Sequence, residues 1–115
     1  MHPVAGRVLF DGKPLQKGEV VLAPDAEKGN TNLQFSIGKI DRDGRYVVQT
    51  FKKDGAKAGW YKVMVLAFEN KPEANPAWIP IWIVPEKVTK YETTTLAFEV
   101  VADPALGSYD LVIER

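Results

Sequence analysis

Val4-Ala5-Gly6-Arg7-Val8-Leu9-Phe10 runs into Asp11-Gly12-Lys13-Pro14-Leu15, and Gly18-Glu19-Val20-Val21-Leu22 follows. Val4, Gly6, Val8 and Phe10 fall on one face of an extended chain, with Arg7 on the other. Asp-Gly between two such runs marks a two-residue hairpin, because both central residues of that turn need positive φ. A second tight turn, Asp41-Arg42-Asp43-Gly44, leads straight into Arg45-Tyr46-Val47-Val48. The first fifty residues therefore predict antiparallel strands joined by tight turns.

The same pattern extends along the chain. Strands are predicted over Val4–Phe10, Glu19–Ala23, Leu33–Ile40 and Arg45–Phe51, with Gly38 as a bulge. Asp25–Asn32 and Lys52–Gly59 read as polar loops. Trp60–Phe68 carries apolar residues on both faces, which suits a strand covered on each side or one face held for a partner. Trp78–Val84 contains Pro80, which cannot donate to a central ladder, so it reads as an edge strand or a crossing segment. Thr93–Val101 and Ser108–Glu114 complete the set, and the sole helical candidate is one turn around Glu86–Tyr91. Eight extended segments at roughly 10 to 15 residues' spacing predict an all-β, two-sheet antiparallel sandwich of seven or eight strands.

The 115 residues suit one domain, spanning 1–115, large enough for a core without staples. There is no cysteine, so no disulfide or thiolate metal site is available. Lys plus Arg and Asp plus Glu each number 15, which leaves no long-range field to gather nucleic acid or anionic lipid. No apolar run approaches the roughly 20 residues of a transmembrane helix. Met1-His2-Pro3 stand directly before the first strand without a secretion signal, and the expectation is that Met1 replaces a longer leader.

Val4-x-Gly6-x-Val8-x-x-Asp11-Gly12-Lys13-Pro14-Leu15-x-x-Gly18-x-Val20 resembles the opening of carboxypeptidase regulatory-like domains. Asp41-x-Asp43-Gly44-x-Tyr46 and Gly59-x-Tyr61-x-Val63-x-Val65 are similar to their later motifs. Val84-Pro85-Glu86-Lys87, Tyr91 and Thr93-Thr94-Thr95-Leu96 resemble the version found in short bacterial envelope lipoproteins. The resemblance covers essentially the whole chain and implies a transthyretin-like (prealbumin-like) sandwich. It further implies an accessory module in the extracytoplasmic cell envelope, held to the membrane only through a lipid anchor that this chain lacks.

The candidate chemistry is thin. Asp41-Arg42-Asp43-Gly44 begins like a calcium loop, but that template puts Arg45 at its fifth position and Lys52 at the bidentate twelfth. Asp11, Gly12, Asp41, Asp43 and Gly44 are therefore read as structural turn residues, with no metal site. His2 is the sole histidine and reads as a disordered terminus, whereas triads and zinc sites need a placed imidazole. The hydroxyisourate hydrolases of the transthyretin-like fold rely on internal histidines and a Tyr-Arg-Gly-Ser ending, and this chain ends Leu111-Val112-Ile113-Glu114-Arg115. Such an enzyme is disfavoured, and no catalytic residue or cofactor is assigned.

The tryptophans are the ligand-binding or partner-binding candidates. Trp78 and Trp82 share one side of an extended segment, opposite Ile79, Ile81 and Ile83. If the isoleucines cap the core, the rings form a flat strip for a protein or a sugar; otherwise they close the sandwich. Trp60, at a strand start, reads as core or rim. The expected function is a non-catalytic structural or protein-interaction module, with a carbohydrate-binding module as the alternative. Its partner is another protein or a second copy paired through an edge strand.

Overall fold

The computed structural model describes residues 1–69, 77, 79 and 81–114. The protein is all-β, with two mainly antiparallel sheets of four and six strands in a sandwich-like arrangement. The strands are β1 (Ala5–Phe10), β2 (Lys13–Pro14), β3 (Glu19–Pro24), β4 (Ser36–Lys39), β5 (Arg45–Val47), β6 (Gln49–Thr50), β7 (Lys53–Asp54), β8 (Gly59–Leu66), β9 (Leu96–Val100) and β10 (Leu111–Ile113). In the smaller sheet β1 pairs with β2, β5 and β10; the larger runs β7-β6-β4-β3-β8-β9. The one predicted helical turn is a 3-10 turn at Glu86–Thr89, and Asp25 caps another at Ala26–Lys28.

Several boundaries differ from the sequence expectation, each for a physical reason. Arg45–Phe51 is not one strand. Its first part pairs with β1, as Gly6 with Tyr46, and its second with β4, as Ile37 with Gln49. Between them Val48 N donates to Val4 O at 3.0 Å and Val48 O accepts from Gly55 N at 2.9 Å. The chain thus changes sheets at Val48, which forms a corner of the sandwich. Phe51 lies in the turn beyond, and the supposed loop after it contains β7.

Gly38 is not a bulge, because Val20↔Gly38 sits inside an unbroken β3–β4 ladder. The reason for glycine is proximity: a Cβ there would lie 2.6 Å from Val47 O. Leu33–Phe35 fall outside β4, whose pairing with β3 ends at Leu22↔Ser36. β10 runs parallel to β1, Val8 opposite Leu111, in sheets whose other strand pairs are antiparallel. The segment between β9 and β10 carries the chain from one sheet to the other, so β10 need not reverse beside β1. His2 is not a loose terminus: it exchanges backbone hydrogen bonds with Ala56 at 2.9 and 3.0 Å.

Alternate residues fill the core, among them Val8, Val20, Leu22, Tyr46, Val48, Tyr61, Val63, Val65 and Val100. Tyr46 carries its polar end inside by donating from its hydroxyl to Tyr109 O. Burial pushes the Tyr46 phenol far above the ordinary tyrosine range, with the charge of Asp110 and then Tyr109 adding to the shift.

Candidate functional site

The turn residues do what short polar side chains do in turns. Asp11 and Gly12 have φ of 50° and 82° between paired β1 and β2, as a two-residue hairpin requires. Asp41 Oδ1 accepts from Asp43 N at 2.8 Å and from Arg45 N at 3.0 Å, while Gly44 takes φ of 79°. The Asp41 carboxylate is therefore directed at its own backbone. Among the described residues no group of three His, Cys, Asp or Glu side chains is placed to hold a metal ion.

The tryptophan expectation divides. Trp78 and Pro80 lie outside the described residues. Trp82 is half-buried and stacks on Phe68, with ring centroids 4.5 Å apart. The backbone holds this pair in place: Glu69 N donates to Ile81 O at 2.8 Å and Ile83 N to Ala67 O at 3.0 Å. Ile83 packs on the core, but Ile79 and Ile81 are exposed, so those two isoleucines do not cap it. Trp60 is half-buried at the start of β8, with Lys28 Nζ 4.1 Å from its ring centroid. Eight residues of nearly extended chain separate Trp60 from Phe68, about 26 Å at the usual strand rise. Trp60 and Trp82 therefore do not share a platform.

Among the described residues a broad exposed apolar surface lies elsewhere. β4 turns Ser36 and Gly38 inward, so Phe35 and Ile37 point to the outer face of the large sheet. The ladder places Met64, Val21, Ile37 and Gln49 in one row across that face. Beside this row, Leu33, Phe35, Ile37, Val47 and Phe51 line an open groove of about 780 Å³. Leu33 is 92 % exposed, Phe51 75 % and Phe35 55 %. Contiguous apolar surface of this kind marks interaction sites on soluble proteins, whereas scattered single residues do not.

No family model matches this chain, and no curated protein or solved structure matches it.

The groove has a charged rim of Glu19, Lys39, Asp41, Arg45 and Lys52. Glu19 stands opposite Lys39 in the ladder, so these two charges offset one another. Arg45 and Lys52 make no ion pair with a described residue. Phe51 and Lys52 form the two-residue turn between β6 and β7, with φ of 49° and 67°. A two-residue hairpin wants glycine or asparagine there, and an aromatic at positive φ is a genuine outlier.

This groove escaped sequence reasoning although its signal was present. In Leu33–Ile40 the odd-numbered face is Leu, Phe, Ile and Lys, while the even-numbered face is Gln, Ser, Gly and Ile. Ordinary patterning buries the more apolar face. Here the small face is buried because Val47 approaches too closely for a side chain at position 38. Ser and Gly alternating opposite large apolar residues was the clue that the backbone, not the side chains, fills the inside.

Proposed function

We propose that this sandwich is a non-catalytic protein-interaction module that docks through the outer face of its larger sheet. The observation that carries the reading is the groove around Phe35, Ile37 and Phe51, which keeps large apolar side chains in water along β4, the segment leading into it and a tight turn. Supporting it, Trp60 and Trp82 are both engaged, by Lys28 and Phe68, and do not make a joint sugar platform. A place in the bacterial cell envelope, behind a lipid anchor outside this chain, belongs to the proposal through the resemblance to carboxypeptidase regulatory-like domains.

The test is photo-crosslinking. A benzophenone amino acid replaces Phe51 in producing cells, with Leu106 as an exposed control position away from the groove. Discrete protein adducts from position 51 and none from position 106 are the expected outcome. Adducts only to lipid or glycan, or none at all, overturn the reading. Self-association belongs to the same proposal, since among the described residues β9 pairs with β8 alone and keeps one edge open. Light scattering across a concentration series reads it directly.

A further inference from the structure

We propose, resting on the protein-interaction reading, that the groove receives an extended polypeptide segment with alternating apolar side chains and flanking carboxylates. Three independent features of the groove set this chemistry.

The first is backbone. The β3–β4 ladder stops at Leu22↔Ser36, and Leu33, Gln34 and Phe35 continue along the groove without a ladder partner. An extended segment laid beside them finds donors and acceptors, which is how peptides add to sheets. Leu33, Phe35 and Ile37 also recur every second residue. All three are exposed, and same-face side chains of an extended peptide recur with the same two-residue period.

The second is strain. Phe51 and Lys52 occupy a turn that favours glycine and asparagine, and the Phe51 ring lies largely in water. A residue held in a disfavoured conformation without a matching internal contact points to a use outside the fold. The turn aims an aromatic anchor at whatever fills the groove, and aromatic anchors dominate binding energy at interfaces.

The third is charge. The charged lining is Lys39, Arg45 and Lys52 against Glu19 and Asp41, with Glu19 opposite Lys39 in the ladder. Arg45 and Lys52 are left without an ion pair among the described residues, on the rim of the apolar surface. Three cations against two carboxylates leave a surplus of one positive charge, which carboxylates on the occupant complement. The backbone of Leu33–Phe35, which has no ladder partner, favours a peptide that can hydrogen-bond to it over a bilayer that cannot.

The experiment pans a random dodecapeptide phage library on the immobilised protein. Two variants serve as counter-targets: Phe51→Gly, which suits the positive φ and keeps the fold, and Arg45→Glu with Lys52→Glu. Enriched sequences are expected to be net acidic with alternating apolar residues. The best synthetic peptide should bind at least ten-fold more weakly to each variant, and more weakly in high salt. Enrichment of basic or uncharged sequences overturns the proposal, as does no enrichment over the unselected library. It is also overturned by Phe51-dependent dimerisation in ultracentrifugation, or by Phe51-dependent sedimentation with phosphatidylcholine–phosphatidylglycerol vesicles, where no peptide is selected. If crosslinks to protein form at position 51 while panning selects the wrong chemistry, the partner class falls and the interaction-module reading stands. If the crosslinks are missing too, both fall.

Discussion

Ser36 and Thr50 share a buried hydrogen bond of 2.7 Å between β4 and β6. Thr50 Oγ1 also donates to Gly55 O at 2.8 Å. A hydroxyl has one proton, so Ser36 is the donor in the shared bond and Thr50 relays it to the backbone. This relay fixes which face of β4 points inward, and so keeps Phe35 and Ile37 outward. Its two members are not equivalent. Thr50→Val removes both bonds and leaves the Ser36 donor and the Gly55 carbonyl unpaired, at a cost of about 2 to 3 kcal/mol. Ser36→Ala removes one bond and leaves only an acceptor, at about 1 kcal/mol. Urea unfolding of the two variants should rank them in that order, and equal or reversed losses contradict the relay.

Tyr46 gives the molecule a pH dependence on the alkaline side. Burial, then Asp110, then Tyr109 raise its folded-state pKa above that of a free tyrosine. The neutral phenol is thus favoured in the fold. The stabilisation is fully present below the unfolded pKa of about 10, and it is lost as pH rises through the interval between unfolded and folded values. Stability measured by denaturant at pH 8 to 11.5 should fall with a slope that Tyr46→Phe removes. At pH 7 the same variant loses the bond to Tyr109 O and costs about 1 kcal/mol. A Tyr46→Phe protein with unchanged alkaline slope would assign that slope to other groups.

The β architecture was legible from Asp11-Gly12 and Asp41–Gly44 because turn chemistry is local: two or three residues carry both the φ requirement and the side-chain acceptor. The change of sheet at Val48 was not legible, because it depends on Val4 and Gly55 reaching that residue from elsewhere in the chain. Nor was the groove, whose apolar side is turned outward where Val47 closes over Gly38 and Ser36 bonds Thr50, both contacts between separate segments. The tryptophans drew attention by composition, yet Trp82 is engaged by Phe68 through a bridge that no spacing within Trp78–Val84 announces.

The Phe51-Lys52 turn predicts a gain in stability by design. The double substitution Phe51→Asn with Lys52→Gly puts residue types that tolerate positive φ where the backbone already demands it. Left-handed conformation costs an ordinary residue about 1 to 2 kcal/mol, and glycine gives back part of that through its unfolded-state freedom. The net expectation is about 1 kcal/mol of added stability, or a Tm rise of about 4 °C for a domain of this size. Thermal unfolding followed by circular dichroism checks it. A lower Tm would mean that the Phe51 ring supports the fold and is not held for an outside contact.

Gly38 is a place where sheet geometry leaves no room for a side chain. A Cβ there would sit 2.6 Å from Val47 O and 3.0 Å from Val47 C, and both are backbone atoms that no rotamer change can move. Gly38→Ala must push β5 away from β4, which strains the Val48 corner and stretches the Ser36–Thr50 bond along with it. Overpacking of this kind costs about 1 to 3 kcal/mol. Lys39→Ala, on the exposed face next door, should stay within about 0.5 kcal/mol. The pair is read by chemical denaturation together with amide exchange at Val48 and Gly55, whose N–H groups bond across the corner. Gly38→Ala should speed exchange at both amides beyond its global loss of stability. Exchange that tracks the global loss alone would show that the corner gives way elsewhere, and that the absence of a side chain at position 38 is not what sets the outward face of β4.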